Sequence, residues 1–231
     1  MNPADVHDQW ASRSGEYSPQ YYAYYGPDER SERVREVFDR VLERDASILE
    51  LGCSSGRHLA HLYDAGFEDL SGIDLNDEAF EVMAEAYPEL AEAGTFHVGS
   101  IEEIVSEFET DRFDAVYSVE TLQHLHPDSE WVLEELCRIT ADLLVTVENE
   151  GDIEDDAQDD VGDDAQGDLN ADVENDVENG SGTNAAPEVN YVDEDFPLYY
   201  RDWNREFTEL GLTQIEVRSG DRDVLRAFRV E

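Results

Sequence analysis

The sequence contains no lysine: all 15 of its basic residues are arginine, against 59 acidic residues, and the formal net charge is -44. Proteins that bind nucleic acid or an anionic membrane surface need a basic footprint, so we expect neither as a partner. The many acidic groups repel one another, and a folded protein tolerates this repulsion in concentrated salt. At molar ionic strength the screening length is about 3 Å. We therefore predict that the acidity reflects a salt-accumulating, halophilic source and not a partner.

Long apolar runs and cysteines are also scarce. No stretch approaches the roughly 18 apolar residues of a membrane span, and the first residues do not resemble a signal peptide. We therefore expect a cytoplasmic protein. Cys53 and Cys137 are too few for a disulfide framework or a zinc site, so we expect reduced packing residues. A chain of 231 residues has room for one sizeable domain.

A strand, a glycine turn and a helix follow one another early in the chain. The apolar run at 47–51 indicates a buried parallel strand, and Gly52 and Gly56 then bracket a tight turn that also contains Ser54. This order predicts a nucleotide-cofactor site at a strand end of an open α/β sheet. The spacing differs from the dinucleotide fingerprint, and the acidic Glu50 would repel a pyrophosphate but attract an ammonium group.

Asp74 ends the second predicted strand, about 20 residues beyond the glycine turn, where a carboxylate can accept hydrogen bonds from both ribose hydroxyls of a nucleotide. Glu-Leu-Gly-Cys-Ser-Ser-Gly and Gly-Ile-Asp-Leu-Asn resemble the first two motifs of the class I S-adenosylmethionine-dependent methyltransferases, with Ser54 in place of a glycine. Leu-Gln-His-Leu-His-Pro is similar to a Leu-Glu-His-Ile-Pro stretch common in that superfamily.

The resemblance covers residues 30–150 and 191–231. It implies an α/β fold: a Rossmann-like, seven-stranded, mostly parallel sheet with helices on both faces and the last strand antiparallel. It also implies methyl transfer from S-adenosylmethionine to an unidentified small-molecule acceptor. Glu50 and Gly52 would serve the methionine end, Asp74 the ribose, and Ser100 with Ile101 the adenine. The expected cofactor-binding residues are Glu50, Gly52, Cys53, Ser54, Gly56, Asp74, Leu75, Ser100, Ile101, Ser118 and Val119.

The loop at 118–126 should line the cofactor crevice, because loops at the carboxyl ends of parallel strands face it. We predict His126 or Glu120 as the general base that removes a proton from the acceptor. His124 is interpreted as a capping or packing residue.

No metal ligand is assigned. Glu148 and Asn149 are similar to a pair at the fifth strand end of metal-dependent catechol-type methyltransferases. Those enzymes also need an aspartate directly after the fourth strand, where Ser118 stands here, so magnesium is kept only as an alternative.

Three segments lie outside the motifs. Aromatic residues crowd 1–29, which we interpret either as a lid over the pocket or as packing against the sheet edge. Fourteen acidic residues and no basic one fall within 152–188, so we predict that 151–190 is a disordered insertion. Residues 198–210 are predicted as a helix, and 213–230 as a closing hairpin.

Two other functions remain open at this stage. The serines at positions 54 and 100 depart from the family motifs, so a noncatalytic S-adenosylmethionine-binding protein with a degenerate pocket is one alternative. A nucleotide-dependent oxidoreductase is the other, and Glu50 argues against it. No pattern indicates the oligomeric state.

Overall fold

The computed structural model describes residues 3–151, 188–192 and 196–230. The strands are β1 (Ser47–Leu51), β2 (Asp69–Asp74), β3 (Thr95–Val98), β4 (Phe113–Val119), β5 (Thr140–Glu148), β6 (Glu188–Val192), β7 (Phe196–Tyr200), β8 (Thr213–Ser219) and β9 (Val224–Arg229). The helices are α1 (Pro3–Ala11), α2 (Pro19–Tyr25), α3 (Glu29–Val41), α4 (Arg57–Asp64), α5 (Glu78–Ala86), α6 (Pro88–Ala93), α7 (Ile101–Val105), α8 (Trp131–Ile139) and α9 (Trp203–Glu209).

Seven strands form one sheet in the order β3-β2-β1-β4-β5-β9-β8. Strands β1 to β5 are parallel, and β9 runs antiparallel to both β5 and β8. The predicted mostly parallel sheet with an antiparallel last strand is therefore confirmed. From β1, the chain adds β2 and β3 on one side and then β4 and β5 on the other. In open α/β sheets, the ligand crevice lies at the point where the strand order reverses in this way.

Helices cover both faces of this sheet, because alternate strand residues point to opposite sides. Ile48 packs in a core cluster with Val34 and Phe38 of α3. Its neighbour Leu49 packs in the other cluster, with Leu136 of α8. Both faces of β1 are thus buried, as the short apolar run at 47–51 predicts.

The prediction of a helix over 198–210 is wrong at its start. Strand β7 contains residues 198–200 and pairs antiparallel with β6, and the helix α9 begins only at Trp203. Aromatic residues favour the pleated surface of a strand, and Leu198 and Tyr199 are both buried there.

The predicted disordered insertion falls almost wholly outside the described residues, because 152–187 are not among them. Among the residues that the structure does describe, no helix is long and apolar enough to cross a bilayer.

Candidate active site

A cavity lies beyond the carboxyl ends of β1, β2 and β4 and encloses about 1070 Å³ of empty space, its open mouth included. Eight of the predicted site residues lie on its wall: Gly52, Cys53, Ser54, Asp74, Leu75, Ile101, Val119 and Glu120.

The glycine turn after β1 is shaped by a close neighbour. Gly52 has φ of 64°, and a Cβ built there would lie 2.4 Å from Thr121 Oγ1. The Cys53 amide donates to the carbonyl of Ile73 at 2.9 Å, which ties the turn to the end of β2. Glycine is therefore required at position 52 both by its backbone angle and by the approach of Thr121.

Asp74 joins the glycine turn to the start of the next helix. Its Oδ2 accepts from the Ser54 amide at 2.8 Å, and its Oδ1 accepts from the Asn76 amide at 2.9 Å. Burial raises the pKa of the Asp74 carboxyl, while these two amide bonds act in the opposite direction. Each carboxylate oxygen has a further lone pair, so the group can still accept hydrogen bonds from a ligand in the cavity.

Glu50 lies beneath the turn and not on the cavity wall. Its side chain is buried, and burial raises the pKa of its carboxyl well above the ordinary range. Its Oε2 has no hydrogen-bond partner within the described part of the chain. An unpaired buried oxygen is costly, so Glu50 Oε2 lowers the stability of the folded state.

Three other predicted cofactor residues are also absent from the cavity wall. Gly56 faces α5, since a Cβ there would lie 2.7 Å from Met83 Cε. Ser100 uses its hydroxyl to cap α7, accepting from the Glu103 amide at 3.2 Å. Ser118 donates its hydroxyl to the carboxylate of Glu148. These residues shape the surrounding elements.

Glu148, at the end of β5, holds the loop that follows β4. Its Oε1 accepts from the amides of Thr121 at 3.3 Å and Leu122 at 3.1 Å, and its Oε2 accepts from the Gln123 amide at 3.2 Å. Burial raises the pKa of Glu148 to about 7, although these hydrogen bonds oppose the change. The loop is therefore ordered by a buried carboxyl that the sequence analysis considered only for the alternative of a magnesium site.

The neighbours of Glu148 are likewise engaged within the protein. Asn149 Oδ1 accepts from the Gly151 amide at 2.9 Å, and Glu150 forms a bidentate ion pair with Arg226 at 2.7 and 2.8 Å. Within the ranges that the structure describes, no cluster of three His, Cys, Asp or Glu side chains could hold a metal ion.

Glu120 lies on the cavity wall, whereas His126, the other predicted base, does not. Glu120 has φ of 49°, and its Oε1 pairs with Arg30 Nη2 at 3.1 Å. His126 packs its ring against Tyr199, and its Nδ1 accepts from the Asp128 amide at 3.1 Å. His126 therefore lies off the cavity wall, and its role as a general base stays a prediction.

His124, two residues earlier, is the histidine that reaches the cavity. It ends the 3-10 turn Leu122–His124, which redirects the chain after β4. Its Nδ1 lies 3.0 Å from the carbonyl oxygen of Pro197 in β7, and burial lowers the pKa of its imidazole to about 4. The Leu-Gln-His-Leu-His stretch was the available signal, but it could not distinguish the two rings.

The aromatic N-terminal segment forms α1 and α2 and contributes Trp10, Tyr17 and Tyr22 to the cavity wall. The guanidinium of Arg57 lies 4.6 Å from the Tyr22 ring centre. Burial, and secondarily the nearby Glu120, raise the pKa of Tyr22 to about 12. Sequence reasoning gave no role to Arg57, although it follows the glycine turn directly.

One ion pair joins this segment to the far side of the cavity. His7 Nε2 lies 3.1 Å from Glu102 Oε1, and both residues line the cavity. The hydrogen bond to Glu102 raises the pKa of His7. Helix α1 is thus fixed to α7 beside the predicted adenine position.

Residues 48–142, which contain the glycine turn, Asp74 and β4, match a family model described as a methyltransferase domain. This part of the chain is similar to the class I S-adenosylmethionine-dependent methyltransferases. S-adenosylmethionine is the cofactor of this family.

Solved methyltransferases share the fold over nearly the whole chain. One is 1,6-didemethyltoxoflavin-N1-methyltransferase from Burkholderia thailandensis, solved with 1,6-didemethyltoxoflavin and S-adenosylhomocysteine, with a TM-score of 0.65 and 14% identity over 98% of this chain and 88% of that one. Another is a TehB-like methyltransferase from Corynebacterium glutamicum, with a TM-score of 0.57 and 19% identity over 100% of both chains. At these identities, the likeness describes the fold alone.

A curated relative shares more sequence over a shorter span. The O-antigen chain terminator bifunctional methyltransferase/kinase WbdD from Escherichia coli is 31% identical over 104 residues. That segment is 42% of this chain and only 14% of the relative. The similarity is thus limited to one part of a much longer protein.

Proposed function

We propose that this chain transfers a methyl group from S-adenosylmethionine to a small-molecule acceptor. The observation that carries the proposal is the position of Asp74, whose carboxylate lies on the cavity wall and holds the amides of Ser54 and Asn76. An acid so placed at the end of the second strand suits the two hydroxyls of a ribose.

The cavity residues fit the cofactor in three parts. We propose that the turn at 52–54 receives the methionine end, Asp74 the ribose, and Leu75 with Ile101 the faces of the adenine ring. When bound, the cofactor supplies a methyl carbon already activated by a sulfonium sulfur. The protein then has to position an acceptor lone pair in line with that carbon and exclude water.

Four residues assigned by resemblance act indirectly in this proposal. Glu50 and Gly56 shape the glycine turn from beneath, Ser100 begins the helix that contains Ile101, and Ser118 supports the loop after β4 through Glu148. Of the two predicted bases, we retain Glu120, because it lies at the cavity with its carboxylate oriented by Arg30.

The N-terminal segment is proposed as a lid. Its rings from α1 and α2 line the cavity, and the ion pair of His7 with Glu102 ties it down. A lid of this kind excludes water from the reacting groups.

The first test is calorimetric titration in molar potassium chloride with S-adenosylhomocysteine and, separately, with NAD. We expect micromolar binding of S-adenosylhomocysteine and none of NAD. Release of labelled methyl groups from S-adenosylmethionine to a panel of small amines, phenols and carboxylates then tests turnover. Binding without transfer to any acceptor would favour a noncatalytic binding protein, and binding of neither ligand would contradict the proposal.

A further inference from the structure

The tautomer of His124 is set by a residue from a distant part of the chain. Its Nδ1 lies 3.0 Å from the carbonyl oxygen of Pro197, and a carbonyl can only accept, so Nδ1 carries the hydrogen. The lone pair is then on Nε2. Within the described residues, this is the only hydrogen bond that the ring makes.

The backbone around His124 is held from two sides. Arg201 Nη2 donates to the carbonyl of Leu125 at 2.7 Å, from the segment that follows β7. Glu148 accepts from the amides that precede His124, as described above. A side chain on so constrained a turn is preorganised, and a fixed acceptor lone pair discriminates strongly among ligands.

Aromatic rings line the cavity that His124 reaches. The Trp10 and His124 rings lie 4.7 Å apart in an edge-on arrangement, and Tyr17 and Tyr22 also line the wall. Such rings offer flat, apolar faces that suit a planar ligand.

Several charged groups around the cavity are paired within the protein. Glu120 is paired with Arg30, Arg57 with Asp28, and His7 with Glu102. The buried Glu148 and Arg201 lie behind the loop and contact its backbone. These three pairs therefore do not require a charged acceptor.

Building on the proposed methyltransferase function, we infer that the methyl acceptor is a planar ring compound whose N–H or O–H donates a hydrogen bond to Nε2 of His124. The aromatic side chains of Trp10, Tyr17 and Tyr22 pack around its ring. His124 orients the acceptor in this arrangement and serves as a positioning residue. Because burial lowers the pKa of its imidazole to about 4, the ring stays neutral and keeps this lone pair throughout the neutral pH range.

The tautomer is tested first, on the wild-type protein with ¹⁵N-labelled histidine and saturating S-adenosylhomocysteine in molar potassium chloride. We expect His124 to show a protonated Nδ1 and an unprotonated Nε2, unchanged between about pH 6 and pH 9. A proton on Nε2, or a titration of this ring near pH 6.5, would overturn the inference. This measurement needs no variant, so a failure of His124 variants to fold does not affect it.

The acceptor class is tested with matched probes on the same complex: phenol against anisole, and indole against 1-methylindole. We expect the N–H or O–H member to shift the Nε2 resonance and to bind about fivefold tighter, the effect of one hydrogen bond. His124→Phe should remove that preference and leave the affinity for S-adenosylhomocysteine within about twofold. His97→Phe, a histidine substitution on β3 away from the cavity wall, should keep it.

The outcomes separate the two proposals. If S-adenosylhomocysteine does not bind the wild-type protein, the proposed function itself is wrong. If it binds but no ring probe does, or if the methylated and unmethylated probes bind equally well, the function stands and the acceptor inference is overturned.

Discussion

Replacement of Asp74 by alanine tests the centre of the proposed cofactor site. The change removes the carboxylate that accepts from the Ser54 and Asn76 amides at 2.8 and 2.9 Å. It also removes the acceptor proposed for the ribose hydroxyls. We therefore expect two separable effects, one on folding stability and one on cofactor affinity.

The magnitudes follow from the bonds that are lost. Leaving a partly buried amide unsatisfied costs roughly 1–3 kcal/mol, and water entering from the cavity offsets part of this, so we expect a loss of about 2 kcal/mol in the free energy of unfolding. Two hydrogen bonds from ribose hydroxyls to a charged group, partly replaced by water, correspond to about 2 kcal/mol, or roughly 30-fold in affinity. The loss of affinity should be at least tenfold, about 1.4 kcal/mol.

The assay is calorimetric titration with S-adenosylhomocysteine and with its 2′,3′-dideoxy analogue, together with urea unfolding, in molar potassium chloride. The wild-type protein should prefer the natural ligand, whereas Asp74→Ala should bind both equally. Asp69→Ala provides the matched control, since Asp69 is an exposed aspartate at the opposite end of the same strand.

Two results would refute this reasoning. A folded Asp74→Ala protein that binds S-adenosylhomocysteine within twofold of the wild type would reject the ribose assignment. An undiminished preference for the natural ligand over the dideoxy analogue in that variant would place the ribose contact on another residue.

Four further expectations concern stability. The pKa of Glu148 is raised from 4.5 to about 7, so its stabilising contribution is complete below pH 4.5 and is lost as the pH rises through 7. In Glu148→Gln, the fall in the free energy of unfolding between about pH 5.5 and pH 8.5 should be about 2 kcal/mol smaller than in the wild type. If urea unfolding shows the same pH dependence of that free energy in both proteins, this expectation is wrong. Gly52→Ala should cost about 1–3 kcal/mol in the same assay and weaken S-adenosylhomocysteine binding, because its Cβ would collide with Thr121; a neutral effect would show that the turn can move. Deleting 152–187 should leave the melting temperature in molar potassium chloride within about 2 °C, and a larger drop would show that this segment packs. Raising potassium chloride from about 0.2 M to about 2 M should raise the urea midpoint, and no response would reject the halophilic interpretation.

Much of the fold could be predicted because it is encoded locally. The apolar runs at 47–51 and 113–119, each interrupted by one acidic residue, indicate strands buried on both faces, and glycines mark the turn after the first of them. Helix α8 can be predicted as well, because its apolar residues repeat at helical spacing. The error at 198–200 arose where a short aromatic stretch suited either state, and pairing with β6 decided it.

The candidate site could be predicted only where a motif ties a residue to a strand end. Asp74 and the turn at 52–54 lie on the cavity wall because the neighbouring parallel strands β2 and β1 end beside the cavity. Glu50 precedes that turn by two residues, and its side chain is buried in the protein. Because both faces of β1 are buried, the alternation of side chains along the strand does not predict which of them reach the cavity.

By itself, the sequence determined the class of fold, the position of the glycine turn and the acid at the end of the second strand, since these depend on neighbouring residues. The tertiary structure decided which histidine of the loop faces the pocket. His124 and His126 are equivalent in local pattern, but the first ring binds the carbonyl of Pro197, some 70 residues away, and the second packs against Tyr199. Contacts between distant segments arise from packing of the whole chain, and no local spacing encodes them.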